Sequence, residues 1–559
     1  MSTSSPDRKR RRPATIDLTG SSDDEVQCLD DVSSETKPET FDAQKESQST
    51  SQPPIQGILG LDRKKMEEER LARLKRKQQT EESEQPPAKK LYQSSIGSNI
   101  AHRMEATVLP SGARQAASVP GLSYPDGIVK RTWVRGQPRQ DDITISEVFQ
   151  QHYGLELAVM SSFQWDMDWL FSKFDLNKSR YLLVVGEKDE EARSALLEDT
   201  KDVGSVRLIF PPMGSFVRCM HSKLMLLFYK EFLRIVVPSA NLVPHDWGET
   251  GTMENVVFLI DLPKGTSATK TPFFEDLTFF LRAQTFPEQL ITKLASFDFS
   301  ATSKYAFVHT IGGRHAGETS TRTGVCSLSR AIRQLKLATQ GPLQLDYITS
   351  SLGSLTPAFL KSLGRAAYGD NLMEKDSQKA EEQQWEKQLT VYFPSRRTVQ
   401  ESIGGRAGAG TICFNRQSYS GRQFPREIMR DNINQRSGIL MHSKILYVRP
   451  KEKSTWANFP TCQGWAYLGS ANLSESAWGR LTMDSAAGTP KLNCRNWESG
   501  VVIPIQGVGG GGVGGASPAV TGTGEASLQE VFGKSIPVPS RIPAPTYKER
   551  KSEPWFMSW

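Results

Sequence analysis

Two short blocks occur twice, in the same order, along this chain of 559 residues, and they limit its fold more than any other feature. Met220-His221-Ser222-Lys223-Leu224 recurs as Met441-His442-Ser443-Lys444-Ile445. Downstream, Ser239-Ala240-Asn241-Leu242-Val243-Pro244-His245-Asp246-Trp247-Gly248 recurs as Ser470-Ala471-Asn472-Leu473-Ser474-Glu475-Ser476-Ala477-Trp478-Gly479, with six of the ten positions identical. Two of only seven histidines fall at equivalent places. Self-similarity of this kind marks a duplicated structural unit, so the body should consist of two homologous halves.

The spacing has a chemical meaning. His and Lys two residues apart on a strand point to the same face, so each half should present an imidazole beside an ammonium. The Ser-Ala-Asn-Leu stretch follows the next β-like run and reads as a turn with the Trp as its packing anchor. Asn is a natural turn residue, and its amide can hydrogen-bond an oxyanion. If the halves pack about a pseudo-twofold axis, two His, two Lys and two Asn converge on one pocket. That set suits a phosphodiester: the lysines neutralise the non-bridging oxygens, the amides orient them, one His attacks phosphorus and the other protonates the leaving oxygen. No metal and no cofactor is called for. The second half holds 27 residues between Lys444 and Asn472 against 17 between Lys223 and Asn241, and an insertion around Lys451 to Gln463 accounts for the difference.

The rest of the body reads as α/β. Tyr181–Val185, Val206–Phe210, Lys223–Tyr229, Leu233–Val237 and Val256–Ile260 are short apolar runs of the buried-strand type. Ser146–Tyr153, Asp166–Phe174, Phe274–Ala283 and Ser327–Thr339 have helical texture, and strands interleaved with helices argue for an α/β body. The first half should occupy 121–300 and the second 301–559, with a flexible insertion at Gly507–Gly515 and a Pro-rich end, Ile536 to Pro545, before Trp555, Phe556 and Trp559.

Of the 25 Phe, 13 Tyr and 11 Trp, only Phe41 and Tyr92 lie within residues 1–120. Such a segment cannot bury enough surface to offset its ordering entropy, so a disordered tail is expected there. The tail is charge-balanced, which puts the whole excess of +7 in the body, as suits an anionic partner such as nucleic acid. Arg8-Lys9-Arg10-Arg11-Arg12-Pro13 reads as a nuclear-localisation signal, which makes the nucleus the expected location. Ile16-Asp17-Leu18-Thr19, followed by acids, reads as a SUMO-interacting motif binding by strand addition. Met66 to Lys77 could form a short helix. The six cysteines form no CxxC or metal-ligand spacing, the usage of a reduced compartment. No apolar run approaches the ~18–20 residues of a membrane span, so no membrane association is expected.

These motifs resemble the phospholipase D superfamily, whose pattern is HxK-x4-D with a later GSxN. Phe228 and Arg449 stand where that Asp would be. Gly469-Ser470-Ala471-Asn472 fits GSxN, and Pro238 replaces the Gly in the first half. An HxK…N pattern lacking the Asp looks like the tyrosyl-DNA phosphodiesterase branch, as do Trp165 to Phe171, Tyr347 to Leu355, Tyr392-Phe393-Pro394-Ser395 and Pro537-Val538-Pro539 with Pro554-Trp555. The resemblance implies two phospholipase D-like α-β-α halves and hydrolysis of 3′-phosphotyrosyl bonds, left by stalled topoisomerase I, and of related 3′ adducts. His221 would be the nucleophile that forms a phosphohistidine and His442 the general acid and base. Lys223, Lys444, Asn241 and Asn472 would hold the phosphate, and a 3′-phosphate end would remain. It also implies orienting groups for the imidazoles: Glu498 in Trp497-Glu498-Ser499-Gly500, with Glu254 as its first-half counterpart, where the family often has Gln.

DNA with such 3′ ends, carrying a topoisomerase-derived peptide, is the implied partner. Ser350, Ser351 and Ser354 resemble the family's phosphate-binding loop, and Ser474 is a further DNA-contact candidate. The family's base-stacking Phe has Val217 at the matching place, with Phe216 offset by one. His245, opposite Ser476, reads as structural. One chain supplies both half-sites, so a monomer is expected. Two other readings stay open: a phospholipase D-like enzyme acting on other nucleic acid or lipid, and a non-catalytic DNA- or SUMO-binding adaptor.

Overall fold

Strands covered on both faces read as continuous apolar runs, and the centre of each half is built that way. In the computed structural model, which describes residues 119–265, 270–374, 388–451, 461–484, 488–506 and 527–557, Leu224–Tyr229 and Phe232–Pro238 are buried along their whole lengths, and Val256–Pro263 at all but its last residue. The tail with its basic cluster and Ile16–Thr19, the helix expected at Met66 to Lys77, the Gly507–Gly515 insertion, most of the Lys451 to Gln463 insertion and Trp559 lie outside the described residues. All described residues belong to one compact unit.

Two sheets repeat one plan. The first runs Asp142–Ile143, Ile128–Thr132, Val256–Pro263, Phe232–Pro238, Leu224–Tyr229, Leu155–Ser161, Arg180–Val184, Val206–Ile209. The second runs Ala306–Thr310, Asn496–Gln506, Cys462–Gly469, Ile445–Pro450, Leu343–Ile348, Leu389–Phe393, Met429–Asp431. Apart from the short edge strand Asp142–Ile143, the order is the same. So is the sense of every pairing: three strands parallel at one end and antiparallel neighbours thereafter.

Period-two alternation assigns the two faces of each strand to different cores. Leu224, Leu226 and Phe228, with Leu233, Ile235, Val237, Phe258 and Ile260, face Ala466, Leu468, Val501 and Ile503 of the second sheet across a shared core. Met225, Leu227, Val236 and Leu259 point the other way, toward Val148, Phe149, Leu170 and Leu196 of the outer helices. Trp465, Tyr467 and Val502 likewise pack on Leu328, Ile332, Phe359 and Leu363 of the second half's helices. At roughly 1.5–3 kcal/mol for each fully buried Val, Leu, Ile or Phe, the face-to-face core holds the halves together. Helix Pro272–Ala283, started by Pro at its first turn and by Thr271, whose hydroxyl accepts the Phe274 N–H, adds Phe273, Leu277, Phe280 and Leu281 to that shared core.

The halves also exchange short strands. Cys219–Met220 pairs in parallel with Asn496 and Trp497, and Leu440–Met441 with Met253 and Glu254. Each pairs with the opposite half, immediately before the His-Ser-Lys block.

Candidate active site

The two His-Ser-Lys blocks lie where the chain changes partner, which differs from the strand placement expected from the sequence. Residues 221–223 and 442–444 belong to no strand. Up to Met220 the backbone is paired with the other half; from Leu224 it runs in its own sheet, and the second half does the same at Met441 and Ile445. The His221 N–H donates to Trp497 O at 3.0 Å and the His442 N–H to Glu254 O at 3.0 Å. The histidines are thus hung from the opposite half.

Their rings are too. His221 Nδ1 lies 2.8 Å from Glu498 Oε2, and His442 Nδ1 lies 3.0 Å from Asp246 Oδ2. A carboxylate on Nδ1 fixes the tautomer and turns Nε2 toward the open side. Here that side is a cleft of about 290 Å³ lined by both histidines, Asn241, Asn472, Phe163, Trp165, Ser351 and Thr411, among others.

Glu254 requires a correction. The shared pattern of bonds shows why: Ser239 Oγ donates to Asn255 Oδ1 at 2.8 Å, as Ser470 Oγ donates to Glu498 Oε2 at 2.5 Å. Asn255 is therefore the counterpart of Glu498, and Glu254 lies one residue earlier. A one-residue offset on extended chain turns a side chain to the opposite face. Glu254 instead meets Arg131 at 2.6 Å and Arg436 at 3.0 Å, and Arg436 continues to Asp142 at 2.8 Å, a buried ionic cluster between the halves. The carboxylate that His442 uses, Asp246, sits in the first repeat block where the second has Ala477, a difference the sequence displayed but whose meaning needed the fold.

Lys223 and Lys444 are fully buried, and each Nζ donates to the carbonyl of the histidine two residues before it, at 2.8 Å for Lys223. Lys223 also faces the Phe163 ring at 5.8 Å, and that ring lies 5.3 Å from His221. The Asn472 oxygen accepts from Thr349 Oγ1, Ser350 Oγ and the Ser351 N–H at 3.1–3.2 Å, so its NH2 is the group left for a ligand. Asn241 is tied by its N–H to Asp246 Oδ2 at 2.6 Å and by its amide to Gln164 Oε1 at 3.3 Å. The turn anchors are the expected tryptophans: Trp247 Nε1 donates to Asn241 O, and Trp478 Nε1 to Tyr347, whose hydroxyl holds Ala471 O.

Burial, reinforced by the charges of Lys223 and Lys444, holds both imidazoles below the usual histidine range, against the opposing pull of Glu498 and Asp246. For the carboxylates, burial pushes upward, but His221 beside Glu498, and His442 with His245 and Lys444 beside Asp246, outweigh it and keep both ionised. The carboxylates thus sit behind the rings at Nδ1, which leaves each Nε2 on the cleft side.

The expected DNA contacts separate. Ser351 lines the cleft and Ser354 is exposed at 3.5 Å from Ser418 Oγ. Ser350 is fully buried with its hydroxyl on Asn472, and Ser474 caps the short helix Glu475–Trp478, accepting the Ala477 N–H at 3.2 Å. The Ser350 hydroxyl thus positions Asn472, and the Ser474 hydroxyl is engaged in the helix cap. Val217 is buried, while Phe216 carries Arg314 at 4.7 Å and Arg495 at 5.6 Å on its ring. His245 has Nε2 at 3.8 Å from Asp246 Oδ1. Among the described residues no three His, Cys, Asp or Glu side chains are grouped to hold a metal ion, and no helix is long and apolar enough to cross a membrane.

A pair of duplicated α/β halves that brings two histidines and two asparagines to one cleft, with a buried lysine two residues after each histidine, is the arrangement of a phosphodiesterase of the phospholipase D type. The sequence profile of the tyrosyl-DNA phosphodiesterase family matches residues 128–548, and the chain belongs to that family. It is 24% identical to the probable tyrosyl-DNA phosphodiesterase of Caenorhabditis elegans over 433 residues, 75% of this chain and 87% of that one. It is 24% identical to tyrosyl-DNA phosphodiesterase 1 of Drosophila melanogaster over 379 residues, 65% of this chain and 63% of that one. Among solved structures, yeast tyrosyl-DNA phosphodiesterase superposes with a TM-score of 0.55 at 20% identity, over 78% of this chain and all of the yeast chain.

Proposed function

We propose that the protein hydrolyses 3′-phosphotyrosyl bonds and related 3′-end adducts on DNA, through a phosphohistidine on His221, leaving a 3′-phosphate. The observation that carries this reading is the pair of imidazoles, one from each half, each backed at Nδ1 by a buried carboxylate and both facing the cleft that Asn241 and Asn472 also line.

Neutral His221 attacks phosphorus through Nε2, and the positive charge that develops on its ring as the N–P bond forms is offset by Glu498, which keeps the hydrogen bond to the Nδ1 proton. Lys223, Lys444 and the two asparagine amides take the non-bridging oxygens, where charge gathers in the transition state. Protonated His442 gives its Nε2 proton to the tyrosyl oxygen as the P–O bond breaks. The same nitrogen then removes a proton from water, whose oxygen displaces His221 and completes the 3′-phosphate. The substrate itself prepares the acid: a phosphodiester anion offsets the lysine charges that depress His442 and so favours its protonated form.

The basic cluster at Arg8–Pro13 supports a nuclear location, Ile16–Thr19 supports SUMO binding, and the presence of both half-sites in one chain supports action as a monomer.

The test is a gel assay in EDTA with a single-stranded oligonucleotide ending in 3′-phosphotyrosine. Wild type should release a 3′-phosphate end, His221→Ala should be inactive, and His442→Asn should trap a covalent protein–DNA species. Cleavage of unmodified DNA or phosphatidylcholine in place of the adduct would move the substrate to another phosphodiester. Binding without cleavage would make the protein an adaptor.

A further inference from the structure

Away from the cleft, the two halves leave a second groove between them, of about 630 Å³. Strand Asn496–Gln506 connects the two places: Glu498 backs His221 near its start, and Ile503 to Gln506 line the groove at its end. At the rise of a strand the two lie about 17–26 Å apart. The floor of the groove is apolar. Val129 and Phe258 of the first half and Ile503 and Ile505 of the second are all buried there, and the Tyr305 ring meets Phe258 edge-on at 5.0 Å. The rim is cationic: Lys304, Lys336 and Lys534 stand around it, and Asp126 is the one acid among the described residues that line it. Lys304 engages Asp126 at 2.9 Å. Lys336 and Lys534 are exposed and make no ion pair among the described residues. Lys336 follows helix Gly324–Gln334 with φ 59°, a left-handed position where glycine is the usual residue.

An apolar floor under unpaired ammonium groups fits an acidic segment that also carries apolar side chains, and disfavours a basic one. The chain holds such a segment. Ile16-Asp17-Leu18-Thr19-Gly20-Ser21-Ser22-Asp23-Asp24-Glu25 has two branched apolar side chains and four acids, with no Lys or Arg. The described chain begins at Val119, seven residues before Asp126 at the edge of the groove, a stretch of at most ~25 Å. The 93 residues between Glu25 and Val119 span about 50 Å when a linker of that length behaves as a coil. The segment therefore reaches the groove of its own chain at a high effective concentration. The other adjoining stretch, 507–526, departs from Gln506 but carries a single acid, Glu525, and so does not match the lysines.

We propose that residues 16–25 dock in this groove of their own chain, with Ile16 and Leu18 on the apolar floor and Asp23, Asp24 and Glu25 against Lys336 and Lys534. Docking withholds Ile16-Asp17-Leu18-Thr19 from a SUMO partner, which gains the motif only by displacing it from the lysines. The contact lies apart from the cleft and does not depend on which phosphodiester is cleaved there.

The experiment uses the full-length chain with Leu18 replaced by photoreactive p-benzoylphenylalanine, irradiated and mapped by mass spectrometry. Cross-links should fall on residues 303–305, 334–336, 503–506 and 534–535, with a yield that does not change on dilution. In a mixture of isotopically light and heavy chains they should stay within one chain. Lys336→Glu with Lys534→Glu should lower the yield by about fivefold or more. Adding Asp23→Lys and Asp24→Lys to that variant should restore most of it, a rescue that a misfolded body could not give. Cross-links elsewhere on the body, or none, would overturn the proposal, as would a yield indifferent to the charge reversals. Light-to-heavy pairs would give the groove to the tail of a second copy and overturn docking within the chain. A probe at Val513 that reaches the groove when one at Leu18 does not would make 507–526 the occupant and overturn it equally.

Discussion

Replacing Glu254 by glutamine separates two jobs that neighbouring acidic residues near this cleft could be given. The side chain is inaccessible to solvent, and its oxygens meet Arg131 and Arg436, 13% and 6% exposed, across the boundary between the halves. Removing one partner of a buried ion pair costs about 3–5 kcal/mol because a charge is left uncompensated. Arg436 keeps Asp142 and Arg131 keeps Asn434 Oδ1, so the lower end, about 3 kcal/mol, applies. A body of this size unfolds with an entropy of about 0.9 kcal/mol per degree, and the thermal midpoint should fall by about 3 °C. Cleavage of the 3′-phosphotyrosyl oligonucleotide at 25 °C should stay within about threefold of wild type, since the side chain points away from His442 and its backbone carbonyl is untouched. Scanning calorimetry and a single-turnover assay on one preparation decide the matter. A hundredfold loss of activity with an unchanged midpoint would place Glu254 on His442 and refute the ionic-cluster assignment.

Glu498→Gln should slow formation of the covalent intermediate by about 10–100-fold, read as the rate of covalent trapping on a suicide oligonucleotide, with Asn496 and Ser470 still holding the side chain. Gly500→Ala would set a Cβ 2.1 Å from the Tyr467 ring; because that hydroxyl holds the Ala471 N–H at 3.2 Å, the variant should lose about 1–3 kcal/mol of stability together with activity, both measurable by urea titration and cleavage rate. His309 is buried among Phe279, Phe280 and Phe307, and burial brings it down from 6.5 to about 4. The unfolded chain therefore takes up the proton first, so stability present above pH 6.5 is lost as pH falls toward 4, by about 3 kcal/mol. In urea titrations at pH 7 and 4.5, His309→Phe should show a smaller acid-induced drop than wild type, and an equal drop would contradict this.

The duplication was legible because the His-Ser-Lys and Ser-Ala-Asn-Leu blocks are short, nearly identical and fixed by chemistry, and the buried strands because both faces are covered, as at Val256–Pro263. Helix ends were less so: the stretch expected at Ser146–Tyr153 breaks after Phe149, where Gln150 takes a left-handed conformation and a 3-10 turn follows. Glu254 and Asn255 could not be ranked from sequence, since their order relative to His442 depends on a strand pairing with residues 440–441 that lies nearly two hundred positions away. Asp246 left a faint trace, a carboxylate at a repeat position otherwise filled by Ala477. For Ser350 and Ser474 the sequence showed the hydroxyls but not their partners within the chain, because a hydroxyl that caps a helix or holds an amide is the same group as one that meets a phosphate.

The handover of each His-Ser-Lys block from one half's sheet to the other's has a consequence for synthesis. His221 becomes a complete group only when Trp497 and Glu498 reach it, 277 residues further on. A ribosome-bound chain carrying the whole first half therefore exposes a histidine with no carboxylate behind it and no second ring opposite. The pair of rings and carboxylates comes together only once residues 497 and 498 have been made and have folded back onto the first half.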